Sequence, residues 1–474
     1  MTDQPRSRQE LYDRIRQVGR EEFILEEMIR YGFWSPQGEI PQDPADEIRR
    51  AGEIRRELEA LRRENWQLHN EKALRKQMLK QRLEESRRKR QETKERRERE
   101  QKERTEAWKQ QQQHSIIYLG TGVSGGLNNT ESDVQRLQSH GLPLCSTAEE
   151  IATAMGISVG QLRFLAFDRK TSTISHYIRF KMPKKSGGFR IISAPMPRLK
   201  QAQYWILNNI LDKLALHDAS HGFRRDRSIV TNATPHVGAE VIINFDLKEF
   251  FPSISYKRVK GLFQSFGYCE AAATIFALLC TTAQVEAVEL DGQTYFVAVG
   301  ERYLPQGSPA SPAITNLLCR RLDKRLFGMA TKLGFTYTRY ADDLTFSADR
   351  DSLRYICNII KLTDSIITHE GFRINEEKTR ILRKSSHQEV TGVVVNQKLN
   401  VSNKTLKRFR ATLYQIEKDG LSGKRWGNSS NLIASIQGFA NFVAMVNPQK
   451  GGELQQQVER IKQKYCTINH HEKS

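Results

Sequence analysis

Tyr340-Ala341-Asp342-Asp343 separates two short alternating runs, Phe335 to Arg339 and Leu344 to Ser347. Both are rich in Phe, Tyr and Thr, so they read as the strands of a β-hairpin with the acidic pair at its turn. Adjacent carboxylates repel unless a cation lies between them. A rigid hairpin tip carrying two is therefore a candidate seat for a divalent metal. Asp also suits turns through its own local hydrogen bonds, and in isolation the pair reads more readily as an acidic surface turn. A metal seat needs further ligands from elsewhere in the chain.

One lies upstream. Glu240-Val241-Ile242-Ile243-Asn244-Phe245 is an almost continuous apolar run, which predicts a central strand buried on both faces, and Asp246 follows it. If this strand lies beside the acidic hairpin, Asp246, Asp342 and Asp343 converge. Three carboxylates can hold two Mg²⁺ ions, one activating an attacking hydroxyl and the other stabilising a leaving phosphate. Mg²⁺ suits a few carboxylates plus substrate phosphates better than a full protein cage.

Between these elements lies Leu304-Pro305-Gln306-Gly307-Ser308-Pro309-Ala310-Ser311-Pro312, whose small residues allow close approach of a substrate. Ala313 to Leu326 reads as one helix after it. Further upstream, His176 to Phe180 and Phe189 to Ile192 read as two strands around a basic turn, Lys184 to Gly188. Backbone amides there, together with Arg190, suit phosphate oxygens. Residues 197 to 217 read as an amphipathic helix. His221-Gly222-Phe223-Arg224-Arg225 and Asn232-Ala233-Thr234-Pro235-His236 follow, and their Gly and basic residues suggest close approach to a nucleic-acid strand. His236 reads equally as a hydrogen-bonded structural histidine.

The 474 residues carry a formal net charge of +20. That balance points to a polyanionic partner, nucleic acid first and acidic membrane second. No run approaches the roughly 18–20 apolar residues of a membrane span, and Met1-Thr2-Asp3-Gln4 begins no signal-peptide apolar region. The six cysteines are scattered without a CxxC pair, which excludes a disulfide scaffold and a zinc site and suggests a reduced, cytoplasmic protein.

Glu21 to Tyr31 is the one short helix candidate in residues 1–45. Asp46 to Gln113 is highly charged, and Ile54, Leu61 and Leu68 fall seven apart with Ala51 and Leu58 interleaved. This predicts a long helix with a coiled-coil seam, and self-association through residues 46–83. Its later part reads either as a solvated helix held by i,i+4 pairs or, around Arg87-Arg88-Lys89-Arg90, as a basic arm on nucleic acid. The Gly- and Asn-rich residues 120–129 read as a linker. Small helices follow, one capped by Ser146 or Thr147 and one after Ser158.

Taken together, Phe245-Asp246 with Phe250-Phe251, Pro305-Gln306-Gly307 through Ser311-Pro312, and Tyr340-Ala341-Asp342-Asp343 resemble, in order, the central motifs of reverse transcriptases. Asn232-Ala233 with His236, and Val390-Thr391-Gly392, resemble elements of the bacterial retron members. Gly371 to Thr379 resembles the later palm motif. The resemblance covers residues 145 to 470, about two-thirds of the chain. Only about 80 residues follow Gly392, too few for the maturase region of a group II intron enzyme.

The resemblance implies an α+β right-hand polymerase with fingers, an antiparallel palm sheet and a helical thumb, behind the long charged helix. The expected divisions are an N-terminal helical segment (1–45), charged helix (46–115), linker (116–131), helical lead-in and fingers (132–240), palm (241–396) and thumb (397–474). It further implies that Asp246 and Asp342 hold two Mg²⁺ ions with Asp343 in support, and that Lys378 is a general acid on pyrophosphate. Phe251, or its neighbour Phe250, would be the gate against the ribose 2′-OH. Gln306, Arg190 and Lys184 would bind the dNTP, and His221, Asn232, His236, Arg408 and Arg410 the RNA or the RNA–DNA duplex. The implied activity is RNA-directed DNA synthesis on the enzyme's own structured non-coding RNA. It would be primed from a guanosine 2′-OH and serve anti-phage defence with an effector protein. The competing readings are another bacterial reverse transcriptase, intron-derived or of the abortive-infection type, and a non-catalytic RNA-binding scaffold.

Overall fold

The computed structural model describes residues 7–34, 44–184, 187–429 and 431–466, and divides into two compact units, residues 1–107 and 108–474. In the first, two helices rather than one precede the charged region: Arg8–Val18 and Arg20–Arg30. The first is announced by a capping box, Ser7 with Glu10, ahead of a sparse apolar pattern. Gly19 joins the pair at φ 94, a conformation glycine adopts freely. A third helix, Pro44–His69, is held to the second by Arg56, whose guanidinium donates to the Glu22 carboxylate at 2.8 Å. A Cβ at Gly52 would run into that same carboxylate.

The charged stretch is not one continuous helix. It breaks at Asn70, whose side-chain oxygen caps the next helix, Glu71–His114, by accepting from the Ala73 amide at 3.3 Å. The predicted seam is solvent-facing: Ile54 is 53% exposed, Leu61 64% and Leu68 63%. Beyond it the surface carries i,i+4 pairs such as Arg88–Glu92 at 3.4 Å, each worth only a few tenths of a kcal/mol.

In the second unit the expected linker is packed structure. Ile116, Leu119 and Leu127 are buried in the main core, and the Asp168 amide donates to the Leu119 carbonyl at 2.7 Å. Two of the glycines there serve close packing, Gly120 against Asp168 and Gly126 against the Glu270 side chain. Thr147, not Ser146, caps the helix Ala148–Met155, and Ser158 caps Val159–Ala166, each through a capping box.

The centre is a four-stranded antiparallel sheet in the order Phe335–Tyr340, Asp343–Ala348, Val241–Asp246, Arg380–Arg383. Val241, Ile243 and Phe245 project into the main core beneath the helices Tyr256–Ser265 and Glu270–Cys280, whereas Ile242 projects into a second core with Val390 and Phe409. One strand thus seals two cores, which is why its apolar run does not alternate. The second core is completed by the helices Asn403–Asp419, Leu432–Val446 and Pro448–Cys466.

Other elements differ in extent from expectation. The helix after Pro312 is two, Ser311–Leu318 and Arg320–Lys332, divided at Cys319. The helix from Pro197 stops at Asn209. A hairpin absent from the sequence reading, Thr282–Leu290 with Gln293–Tyr303, turns at Asp291 (φ 50) and Gly292 (φ 73). Two positive φ values suit the right-handed strand twist, and Asp-Gly is a favoured pair for them.

Candidate active site

The acidic turn is made by Ala341 and Asp342 between the closing pair Tyr340 and Asp343. Ala341 sits at φ 57, an uncommon region for a residue with a Cβ. It is over-determined there. The Arg339 guanidinium donates to the Ala341 carbonyl at 3.1 Å, and the Leu247 amide donates to the Asp342 carbonyl at 3.0 Å. On the other side the His221 amide donates to the Arg339 carbonyl at 2.8 Å. A Cβ on Gly222 would stand 2.5 Å from the Ala341 nitrogen, so only glycine lets this loop lie flush on the turn.

The central strand brings Asp246 directly opposite Asp343 in the antiparallel register. The Asp246 carboxylate accepts from Lys378 Nζ at 2.7 Å and from Asn375 Nδ2 at 3.2 Å, and its carbonyl accepts from the Asn375 amide at 2.7 Å. Burial, and then the charge of Asp246, raises the Asp342 carboxyl above its ordinary value, against Lys378 and Arg190. Loss of hydration in the cleft floor, with the charges of Asp342 and Asp246, pushes Asp343 up to about 7, against Lys378. Asp343 keeps a solvent-exposed side, which tempers that rise.

These carboxylates suit a divalent cation by chemistry more than by a finished cage. No three Asp, Glu, His or Cys side chains among the described residues are gathered as a ready ligand set. What fits is the combination of burial and mutual repulsion among the three carboxylates, which outweighs Lys378 and Arg190 at Asp342 and Lys378 at Asp343. A hard cation completed by phosphate oxygens and water would answer it.

Around this floor, Phe250 is buried and rests on Phe372 at 5.6 Å, whereas Phe251 is half-buried. Of the two, Phe251 is the more exposed ring. The Gln306 carbonyl accepts from the Ser193 amide at 2.7 Å. A Cβ on Gly307 would meet Ile192 and Ser193 at 2.9 Å, so the basic hairpin is docked directly on the Gln306–Gly307 loop. Arg190 and Lys184 are exposed on that hairpin. Arg408 and Arg410 are exposed on Asn403–Asp419, with Arg408 stacked over Trp426 at 5.3 Å.

Three residues expected to bind RNA are buried. His221 is 4% exposed and shares a hydrogen bond with the Thr231 hydroxyl at 3.0 Å. Asn232 is fully buried beside Thr391, linking the two retron-like elements. His236 is fully buried, with Nδ1 and Nε2 hydrogen-bonded to the Ser347 and Thr338 hydroxyls at 2.6 and 2.7 Å. Burial, and then Arg227 and Arg224, lowers His221 to about 4; burial, and then His221, lowers His236 to about 3. Both are neutral at pH 7 and brace the back of the acidic hairpin.

The sequence reading also missed the ion pair beneath the turn. Arg339 and Asp323 are both 0% exposed and joined at 2.7 and 2.8 Å. Arg339 donates besides to Asn316 Oδ1 at 3.0 Å and Ser220 Oγ at 3.1 Å, and Tyr337 donates to Asp323 at 2.9 Å.

Residues 182–395 match the family "Reverse transcriptase (RNA-dependent DNA polymerase)". The chain is 41% identical over 366 residues to the Retron Mx162 reverse transcriptase of Myxococcus xanthus, covering 73% of this chain and 74% of that one. It is 35% identical over 331 residues to the Retron Ec86 reverse transcriptase of Escherichia coli, covering 70% of this chain and 94% of that one. Among solved structures, a telomerase from Candida albicans aligns at 14% identity and a TM-score of 0.37, over 59% of this chain and 56% of that one.

Proposed function

Since the chain belongs to the retron reverse transcriptases, and is thereby an RNA-directed DNA polymerase, we propose that it copies part of its own structured non-coding RNA. Synthesis starts from a guanosine 2′-OH and leaves a branched RNA–DNA product that serves anti-phage defence with an effector protein. The observation that carries the mechanism is the register that sets Asp246 opposite Asp343, with the Asp342 carbonyl pinned to Leu247.

Asp246 and Asp342 would hold two Mg²⁺ ions, with Asp343 supporting them. Bound there, the ions would supply the Lewis acidity that activates the attacking hydroxyl and neutralises the leaving pyrophosphate. Lys378, paired with Asp246, would protonate that pyrophosphate as general acid. Arg190 and Lys184 bind the triphosphate, and Gln306 lines the sugar. Residues 241–396 act as palm and 397–474 as thumb, where exposed Arg408 and Arg410 track the A-form duplex by its backbone. The exposed seam of Ile54, Leu58, Leu61 and Leu68 supports self-association of the N-terminal helices. No described helix is long and apolar enough to cross a membrane.

The protein purified with its flanking RNA is expected to make DNA from dNTPs and Mg²⁺. That DNA should stay joined to RNA through denaturing gels until a 2′–5′ debranching enzyme frees it. Linear DNA would rule out the proposed primer.

Phe251→Ala should raise ribonucleotide use by roughly 10- to 100-fold, the scale on which a small steric wall discriminates. Single-nucleotide extension with dNTP against rNTP measures it, and unchanged discrimination would move the gate away from Phe251.

A further inference from the structure

Phe223 combines three features that core packing does not require together. Its ring is 53% exposed, its backbone sits at φ 55, and it lies against Phe251 at a centroid distance of 6.4 Å and an interplanar angle of 63°. Left-handed backbone is unfavourable for a bulky aromatic, and it persists where the surroundings impose it. Here they do. Gly222, the residue before it, is clamped between Asn316, whose Nδ2 donates to the Gly222 carbonyl at 2.8 Å, and the backbone of Tyr340 and Ala341. The position of Phe223 is therefore fixed relative to the turn that carries Asp342 and Asp343.

Phe251 has ring neighbours on two sides. Phe250, at 5.6 Å, is buried and held in turn by Phe372. Phe223 is the other, on the open side. Without it the half-buried Phe251 ring would be supported from the core alone and free to swing away from a nucleotide sugar. We propose that Phe223 is a positioning residue for sugar selection: it fixes the Phe251 ring at the angle that rejects a 2′-hydroxyl. Its strained backbone is the consequence of hanging that buttress on the catalytic turn. This rests on Phe251 being the gate, so the two are tested side by side.

The full-length protein with its RNA is assayed for single-nucleotide addition of dNTP and rNTP, as wild type and as Phe251→Ala, Phe223→Ala, Phe223→Gly, Phe223→Tyr and the Phe223→Ala/Phe251→Ala double variant. Phe223→Ala and Phe223→Gly should each lower the dNTP-over-rNTP ratio of kcat/KM by roughly tenfold, the scale of a small misplacement of a positioned group. Phe223→Tyr should restore it. Adding Phe223→Ala to Phe251→Ala should change the ratio little, because the buttress then has nothing to hold. Glycine tolerates φ 55, so Phe223→Gly separates the effect from folding: its melting temperature should equal or exceed that of Phe223→Ala while its selectivity is lost. If Phe251→Ala leaves the ratio unchanged, the gate reading fails and takes this proposal with it. If Phe251→Ala admits ribonucleotides while Phe223→Ala and Phe223→Gly keep wild-type selectivity, the gate stands and the buttress is refuted. Full additivity in the double variant would equally refute it.

Discussion

Replacing Asp342 and Asp343 together by Asn should abolish DNA synthesis and leave the fold at least as stable as the wild type. The loss follows from charge. With both side chains neutral, only Asp246 remains to draw a cation, and Lys378 already satisfies it at 2.7 Å. Losing several kcal/mol of transition-state charge stabilisation corresponds to roughly a thousandfold or more in rate. The stability follows from the same crowding. The Asp343 carboxyl is raised to about 7 and that of Asp342 is raised too, so the folded state binds their protons more tightly than the unfolded chain does. Stability therefore falls as pH rises from the ordinary carboxylate range through about 7, and the penalty is fully present above that. Asn removes it. Measured without divalent ions, the stability advantage of the double variant over wild type should grow between pH 5 and pH 8. His221 and His236, both lowered in the fold, change stability with the opposite sign below their ordinary value. They are unchanged in the variant and cancel in the difference. DNA synthesis by the double variant would remove these carboxylates from the mechanism. A variant less stable than wild type at pH 8 would mean that their repulsion is already relieved within the protein.

What was legible in the sequence was what depends on near neighbours. Strand alternation placed the acidic hairpin, and the almost continuous apolar run of Val241 to Phe245, interrupted only by Asn244, placed a central strand beside it. The register then brings Asp246 opposite Asp343. The hairpin at Thr282–Tyr303 is marked in the sequence by its Asp291-Gly292 turn, a favoured pair for two positive φ values. The break at Asn70 is a local capping choice within otherwise helical sequence. His221, Asn232 and His236 were misplaced for a different reason. A His or Asn in a polar loop looks the same whether water or a buried hydroxyl satisfies it; here Thr231 pairs with His221 from the next helix, while Thr391 accepts from the Asn232 side chain and Thr338 and Ser347 pair with His236 from distant segments. Asp323 was hidden by its setting, one acid among Arg320, Arg321, Lys324 and Arg325, where it reads as surface charge. Only the fold shows that it turns inward.

Arg339→Met should destabilise the protein by about 3–5 kcal/mol, since it strands the Asp323 carboxylate in a fully buried site. Asp323→Leu should cost a similar amount by stranding the guanidinium. Coulomb attraction within the pair is not what makes the loss large. Each ion has been taken out of water, and its partner is what offsets that penalty. The double variant Arg339→Met/Asp323→Leu, apolar and of comparable volume, should accordingly recover most of the stability. It should not recover activity. Arg339 also satisfies the Ala341 carbonyl, Asn316 Oδ1 and Ser220 Oγ, and no methionine can. Those contacts hold Ala341 at φ 57 and tie the loop under Phe223 to the acidic turn. Denaturant midpoints at constant m-value report the first effect, and primer extension reports the second. If the double variant polymerises like wild type, the turn keeps its geometry without the arginine, and the pair is there for the fold alone. If either single variant loses less than about 1 kcal/mol, water reaches the remaining charge and the buried-pair account fails.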